Sequence, residues 1–247
     1  VLGIVAFAYK TLMGNILIRR YRYYVDEVKI VGGNVTQLTL RPVKERMSHL
    51  PGQFAFIRFL YSGADKVTSE WHPFSISSAP DEEYVRLSVK ALGDYTSALA
   101  SLKQGAIAEI EGAYGKFSFT NYRNENQIWV AGGIGITPFL SMAKSLPEDN
   151  PYNIDLYYSV KSQSEFVDLG SLVEIAQKQN AKFRIIPFIS DERGLLTADV
   201  ISEHSNGLKD KEIFICGPPP MMKALRKKKR KKGVMGSMVH SEEFAMS

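Results

Sequence analysis

Apolar and polar positions along this chain keep two different rhythms. From Tyr24 to about residue 120, apolar residues come in short runs with partial alternation, the period-two pattern of strands. Tyr24–Val31 and Val35–Arg41 flank Gly32-Gly33-Asn34, residues suited to a tight hairpin turn. Gln53–Leu60 alternates in part around Phe54, Phe56 and Phe59, and Phe74–Ser78, Val85–Ala91 and Ile107–Glu111 follow at similar spacing. Short strands separated by turn signals predict a sandwich or a barrel. One short helix over Tyr95–Leu102 interrupts them, with Asp94 as its N-cap.

After residue 125, strands and helices alternate. Ile128–Ala131, Ile154–Val160, Phe183–Ile189 and Ile213–Cys216 read as strands, and Ser237–His240 as a last one. Pro138–Leu146, Phe166–Gln179, Thr197–His204 and Met221–Lys229 read as helices. That order predicts a parallel, doubly wound sheet. The polar stretch Asn121–Asn126 marks the boundary, dividing the chain into residues 23–122 and 123–247.

The first 22 residues follow neither rhythm. Val1–Ile18 is largely apolar, broken by Lys10, Asn15 and two glycines, and runs into Arg19-Arg20-Tyr21-Arg22-Tyr23-Tyr24. A spanning helix needs about 20 apolar residues, and basic and aromatic residues gather at membrane interfaces. The segment reads as the end of a transmembrane helix and its basic linker, leading into a cytoplasmic domain. An amphipathic surface helix is the alternative. No small-residue cleavage site follows, and the basic cluster lies on the wrong side for a signal peptide.

Composition changes the picture in two places. The 247 residues are 45% hydrophobic, enough for two cores, and carry a net charge of +5. Arg226–Lys232 holds seven consecutive basic residues, and subtracting them leaves the rest of the chain at −2. A nucleic-acid-binding body is therefore not expected. The run itself suits either a solvated helix end or an anionic lipid surface. The single cysteine, Cys216, excludes a structural disulfide, a four-cysteine iron–sulfur cluster and a cysteine-based zinc site. His49, His72, His204 and His240 have no ligand-type spacing, so no metal is expected.

Candidate chemistry clusters in five places. Trp129-Val130-Ala131-Gly132-Gly133-Ile134-Gly135-Ile136-Thr137-Pro138 carries a strand through glycines into a helix. There the backbone can approach a phosphate and the helix start offers free N–H groups. Its pattern is G-x-G-x-x-P, and Pro138 suits the first helical turn. The strand ending at Ser159 and Lys161 offers a hydroxyl and a cation where NAD-selective enzymes often carry a carboxylate, which hints at a 2′-phosphate. A solvated lysine at an ordinary strand end fits as well. Cys216-Gly217-Pro218-Pro219-Pro220-Met221 lies at another strand's carboxyl end, beside the expected crevice, although a lone cysteine is commonly a small buried thiol. Trp71-His72-Pro73-Phe74-Ser75-Ile76-Ser77-Ser78 puts two rings and several hydroxyls on one strand, with Phe74 and Ile76 facing opposite Ser75 and Ser77. Val89-Lys90-Ala91-Leu92-Gly93-Asp94-Tyr95-Thr96 sets a lysine and a glycine turn before a helix start, again suited to an anion.

Taken in this order, the motifs resemble the ferredoxin-reductase superfamily, most closely its NADPH oxidase and ferric reductase branch, from about residue 24 to the C-terminus. His72–Ser78 is similar to that branch's FAD motif, with His where plant-type reductases use Arg. Gly93-Asp94-Tyr95-Thr96 resembles its G-x-W-T pyrophosphate motif, with Tyr for Trp. Gly133–Pro138 and Cys216-Gly217-Pro218-Pro219 resemble its two nicotinamide-nucleotide motifs.

The resemblance implies an antiparallel six-stranded FAD-binding β-barrel over 23–122 and an NADPH-binding α/β domain over 123–247. It places His72, Lys90 and Thr96 on the FAD pyrophosphate, Pro73 and Phe74 on the flavin or ribityl chain, and Ser75 near flavin N5. Ile76, Ser77, Val89, Gly93, Asp94 and Tyr95 complete the FAD set. Gly133, Ile134, Gly135, Ile136, Thr137 and Pro138 would cradle the nucleotide phosphates. Ser159, Lys161, Arg193, Gly217, Pro218 and Met221 complete that set, with Cys216 near the nicotinamide. Phe244 would cover the flavin face and yield to the nicotinamide, although three residues follow it, unlike reductases that end on the aromatic. Ser75, Cys216 and Phe244 form the expected catalytic set.

The cofactors implied are FAD and NADPH, with NADH as a second donor. The family's haem needs paired histidines in transmembrane helices, and Val1–Ile18 has none, so haem would belong to a membrane part outside this chain. The expected partners are that haem domain and oxygen, or ferric or cytochrome acceptors, at the cytoplasmic face of a bacterial plasma membrane. Two rivals stand beside this reading: a soluble or membrane-associated ferric or flavin reductase, and a nucleotide-binding membrane adaptor without turnover.

Overall fold

The structure is a computed structural model and describes residues 18–242, apart from 33, 62–66, 180 and 230–233. Of the expected membrane end and basic linker over 1–22, residues 1–17 lie outside the described residues, and Arg20–Arg22 of the linker open the first barrel strand. Among the described residues no helix is long and apolar enough to cross a membrane.

The first rhythm builds six strands: β1 (Arg20–Val31), β2 (Val35–Pro42), β3 (Phe54–Tyr61), β4 (His72–Ser75), β5 (Val85–Lys90) and β6 (Ile107–Tyr114). They form one antiparallel sheet in the order β4-β3-β6-β1-β2-β5. The two edges meet where Ile76 bridges Leu87 and Ser77 N–H donates to Arg86 O at 2.8 Å. The sheet thus closes on itself, a barrel rather than a sandwich, and leaves no free edge there. Alternation explains its interior: Tyr23, Val25, Leu38, Leu40, Ala55, Ile57, Leu87, Ala108 and Ile110 are completely buried. The helix after β5 is shorter than its pattern predicts. α1 covers Asp94–Ala98 and tightens into a 3-10 turn over Leu99–Ser101. Its N-cap is Gly93, not Asp94, whose side chain is exposed at the first helical position. Thr96 Oγ1 takes the capping role by accepting Gly93 N–H at 3.0 Å.

The second rhythm builds β7 (Asn126–Gly132), β8 (Asn153–Val160), β9 (Phe183–Ile189), β10 (Glu212–Cys216) and β11 (Val239–Glu242). They run parallel in the order β11-β10-β7-β8-β9. The helices are α2 (Thr137–Lys144), α3 (Leu169–Lys178), α4 (Ser190–Arg193), α5 (Ala198–His204) and α6 (Pro219–Lys229). Successive strand residues face opposite sides. Trp129, Ala131, Leu156, Tyr158, Phe214 and Cys216 pack with α2 and α3. Ile128, Val130, Tyr157, Ile213 and Ile215 pack with α5 and α6. Helices therefore cover both faces, which makes the sheet doubly wound. α3 starts three residues later than Phe166, because Asp168 takes a left-handed conformation (φ 51°) at its start. α4 is four residues long, too short to show a period.

The connection after β6 joins the two units. Phe117 packs edge-on against Phe139 and Phe214, and Phe119 lies against Trp129. Ser141 Oγ donates to Ser78 O at 2.6 Å and Gln37 Nε2 to Asp168 Oδ2 at 2.9 Å. These contacts fix the barrel's β4–β5 side over the carboxyl ends of the parallel strands.

Candidate functional site

That placement opens a groove at the position where open α/β sheets take ligands. Its first part has a volume of about 360 Å³, lined by Pro73, Phe74 and Ser75 of β4, Val89 and Lys90 of β5, the Gly132–Gly135 loop, and Cys216 to Pro219. A second part of about 610 Å³ runs over Ser159, Lys161, Glu165 and Leu195. Lys90, Gly132, Gly133 and Pro218 line both parts. Each volume lies in the range that holds a cofactor-sized ligand.

The glycine loop explains its own composition. Gly133 has φ +54°, and a Cβ there would meet nothing within 4 Å, so its backbone faces open space. Gly135 is the reverse case: a Cβ would lie 2.4 Å from Cys216 O and 2.8 Å from Gly217 Cα. The two nucleotide motifs therefore touch backbone to backbone, and only glycine permits it. Thr137 lines the groove and donates to Ile134 O at 3.0 Å, and Ile136 and Pro138 are buried beneath it. Met221 lies against Gly132 and lines the second part.

Not every expected residue reaches the groove. Ser75 does, and its hydroxyl makes no hydrogen bond among the described residues. Phe74 is buried in the barrel core and still lines the groove. Ile76 and Ser77 close the barrel instead: both are fully buried, and Ser77 Oγ donates to Arg86 O at 3.0 Å. Thr96 is buried and accepts the N–H groups of Leu92 and Gly93, so it shapes the turn rather than lining the groove. Gly93 and Asp94 are exposed outside it. His72 stacks on Tyr95 at 3.7 Å, with Nε2 3.6 Å from Glu70. His72 Nε2 and the Tyr95 hydroxyl are buried without a hydrogen-bond partner among the described residues, and burial pushes the Tyr95 phenol up. Arg193 stands on α4, exposed, with its guanidinium 5.5 Å from the Phe188 ring centre. Phe244 lies outside the described residues.

Cys216 forms part of the groove floor and is fully buried. Burial pushes its thiol well up, so it stays neutral. Beside it on β11 stands Glu242, which sequence reasoning passed over in favour of Phe244. The last strand runs two residues beyond the expected His240, which carries Glu242 to the sheet's carboxyl edge. Its Oε1 lies against Gly115, its Oε2 is buried without a partner, and burial pushes its carboxyl up to about 7. A carboxyl held near neutrality beside a ligand groove can keep or release a proton there. Among the described residues no group of three or more His, Cys, Asp or Glu could hold a metal.

Two family models match the chain: an FAD-binding domain over residues 20–134 and an oxidoreductase NAD-binding domain over 129–227. Both matched stretches run through the groove. The chain is an FAD- and NAD(P)-binding oxidoreductase of the ferredoxin-reductase-like superfamily. It is 26% identical over 231 residues to the reductase component of propane 2-monooxygenase from Mycolicibacterium smegmatis, covering 86% of this chain and 64% of that protein. It is 23% identical over 249 residues to a heavy chain of the superoxide-generating NADPH oxidase of Dictyostelium discoideum, covering 77% of this chain and 47% of that one. The chain thus spans less than two thirds of the length of these relatives. A flavohemoglobin from Malassezia yamatoensis with bound FAD and heme has the same fold, with a TM-score of 0.79 at 18% identity, over 97% of this chain and 65% of that one.

The residues of this flavoprotein fit both cofactors. The free Ser75 hydroxyl and Lys90 offer polar contacts on the barrel side, whereas His72, with its Nε2 turned to Glu70, does not line the groove. The open Gly133 backbone at the carboxyl end of β7 offers a phosphate cradle on the other.

Proposed function

We propose that this chain is the dehydrogenase module of a bacterial NADPH oxidase, working at the cytoplasmic face of the plasma membrane. The observation that carries the reading is the junction at Lys90 and Gly133, where the barrel's groove and the nucleotide groove meet. When bound, NADPH would supply a hydride, FAD would accept it, and single electrons would pass on to haem in a membrane part of the longer protein and to oxygen, giving superoxide.

The chain's own residues bind, orient and exclude water. Lys90 holds the FAD side, Pro73 and Phe74 wall the flavin pocket, and Ser75 directs a hydroxyl into it. The Gly133–Pro138 loop holds the nicotinamide nucleotide's phosphates, and Cys216 closes the floor as a neutral thiol. Glu242 holds a proton beside that floor. Phe244 gates the nicotinamide. Arg226, the first residue of the basic run, hydrogen-bonds Ser241 on β11, and the run would meet anionic lipid. The likeness to a monooxygenase reductase component supports a second reading, in which the acceptor is a separate oxygenase or a ferric or cytochrome acceptor.

Two variants test the assignment with FAD-loaded protein and an artificial electron acceptor. Ser75→Ala is expected to slow NADPH-driven reduction about 10²-fold while FAD binding holds. Equal rates in Ser75→Ala and wild type would remove Ser75 from the chemistry. Lys161→Glu, facing the second part of the groove, is expected to cut the preference for NADPH over NADH about tenfold, the equivalent of about 1.4 kcal/mol. An unchanged ratio would mean that Lys161 does not meet the 2′-phosphate.

A further inference from the structure

Lys90 is the cation shared by both parts of the groove, and it already has a partner. Its Nζ lies 3.1 Å from Glu165 Oε2, and each side chain is less than a third exposed, 29% and 24%. Glu165 lines the second part of the groove. The pair crosses from the barrel's β5 to the turn after β8, so it spans the junction itself. We infer that Glu165 is a positioning residue that competes with dinucleotide pyrophosphate for Lys90 and thereby sets how tightly that pyrophosphate is held. The inference rests on the dinucleotide-binding reading given above.

The pair is mechanically unequal. Glu165 ends a 3-10 turn, Gln163–Glu165, that is braced against the barrel. Ser164 O comes so close to Gly32 that a Cβ there would lie 2.5 Å away. Three residues on, Asp168 accepts Gln37 Nε2 at 2.9 Å. Lys90 carries its ammonium on a flexible four-carbon stem. When a pyrophosphate enters either part of the groove, Lys90 is the member that swings and Glu165 the one that stays. The pyrophosphate then gains one cation but keeps a carboxylate as neighbour, and like charges in a partly desolvated groove repel. Lys161 lines the same part of the groove and is exposed, so it offsets this repulsion only through solvent.

The test compares wild type, Glu165→Gln, Lys90→Gln and the double variant as full chains, by equilibrium binding without turnover. The probes are FAD, NADP⁺ and the phosphate-free riboflavin. Glu165→Gln is expected to tighten at least one dinucleotide about three- to tenfold, with riboflavin unchanged and the gain abolished when Lys90 is also Gln. FAD alone tightening assigns Lys90 to the flavin pyrophosphate, and NADP⁺ alone assigns it to the nicotinamide nucleotide. Affinities that stay equal or weaken in Glu165→Gln, or a gain that persists without Lys90, overturn the inference while wild-type binding leaves the functional reading standing. A wild type that binds neither dinucleotide overturns both.

Discussion

Gly135→Ala is expected to cut NADPH-driven flavin reduction by about 10²-fold or more, the usual result of displacing a binding loop by about 1 Å. The added methyl would sit 2.4 Å from Cys216 O and 2.6 Å from its carbonyl carbon, both backbone atoms that cannot rotate away. The glycine loop and the Cys216–Gly217 loop must then part, at an overpacking cost of about 1–3 kcal/mol. Gly133→Ala is the control. That position has open space and a left-handed φ of +54°, so alanine should cost only about 1–2 kcal/mol in backbone strain. Thermal melts and NADP⁺ binding on both variants check the pair. Equal NADP⁺ affinity in Gly135→Ala and wild type would show that the loop contact does not shape the nucleotide site.

The second large effect concerns pH. Burial raises the Glu242 carboxyl from 4.5 to about 7, so the folded protein holds a proton that the unfolded chain releases earlier. Stability from this group is fully present below pH 4.5 and is lost as pH rises through about 7, because the folded state binds more protons across that window. The loss amounts to at most about 3 kcal/mol. Glu242→Gln keeps the shape and removes the titration. It should match wild type near pH ~4.5 and exceed it by up to about 3 kcal/mol at about pH 8. Urea unfolding at both pH values measures this, and a stability gap that does not change with pH would show that Glu242 is ionised in the folded protein.

Both effects arise in regions of unequal legibility, and the reasons are physical. Short apolar runs with turn residues mark all six barrel strands, because alternation survives wherever one face is buried. The apolar pattern alone does not separate a barrel from a sandwich, because closure depends on Ile76 meeting Leu87 across the two sheet edges; the family resemblance, not the pattern, supplies the barrel. The glycine loop and Cys216-Gly217 are legible because close backbone approach restricts residue type. Which motif residues turn inward is not. Ile76 and Ser77 belong to the same motif as Ser75, and only the closure of the sheet sends them into the core, whereas Thr96, in the next motif, turns in to cap its own helix. Glu242 escapes sequence reasoning because its environment comes from burial at the end of a strand that outruns its apolar pattern. The Lys90–Glu165 pair joins positions 75 residues apart, so no local pattern announces it.

The central claim is that one groove brings a nicotinamide donor to a flavin acceptor. Its most direct test is anaerobic. The protein is loaded with FAD, NADPH is added, and flavin absorbance near ~450 nm is followed, with NADH in parallel, since the protein's part is to bind and orient the two cofactors. Prompt bleaching with NADPH and a slower response with NADH are the expected result. No bleaching with both nucleotides demonstrably bound would contradict the claim and would point to a nucleotide-binding adaptor without turnover.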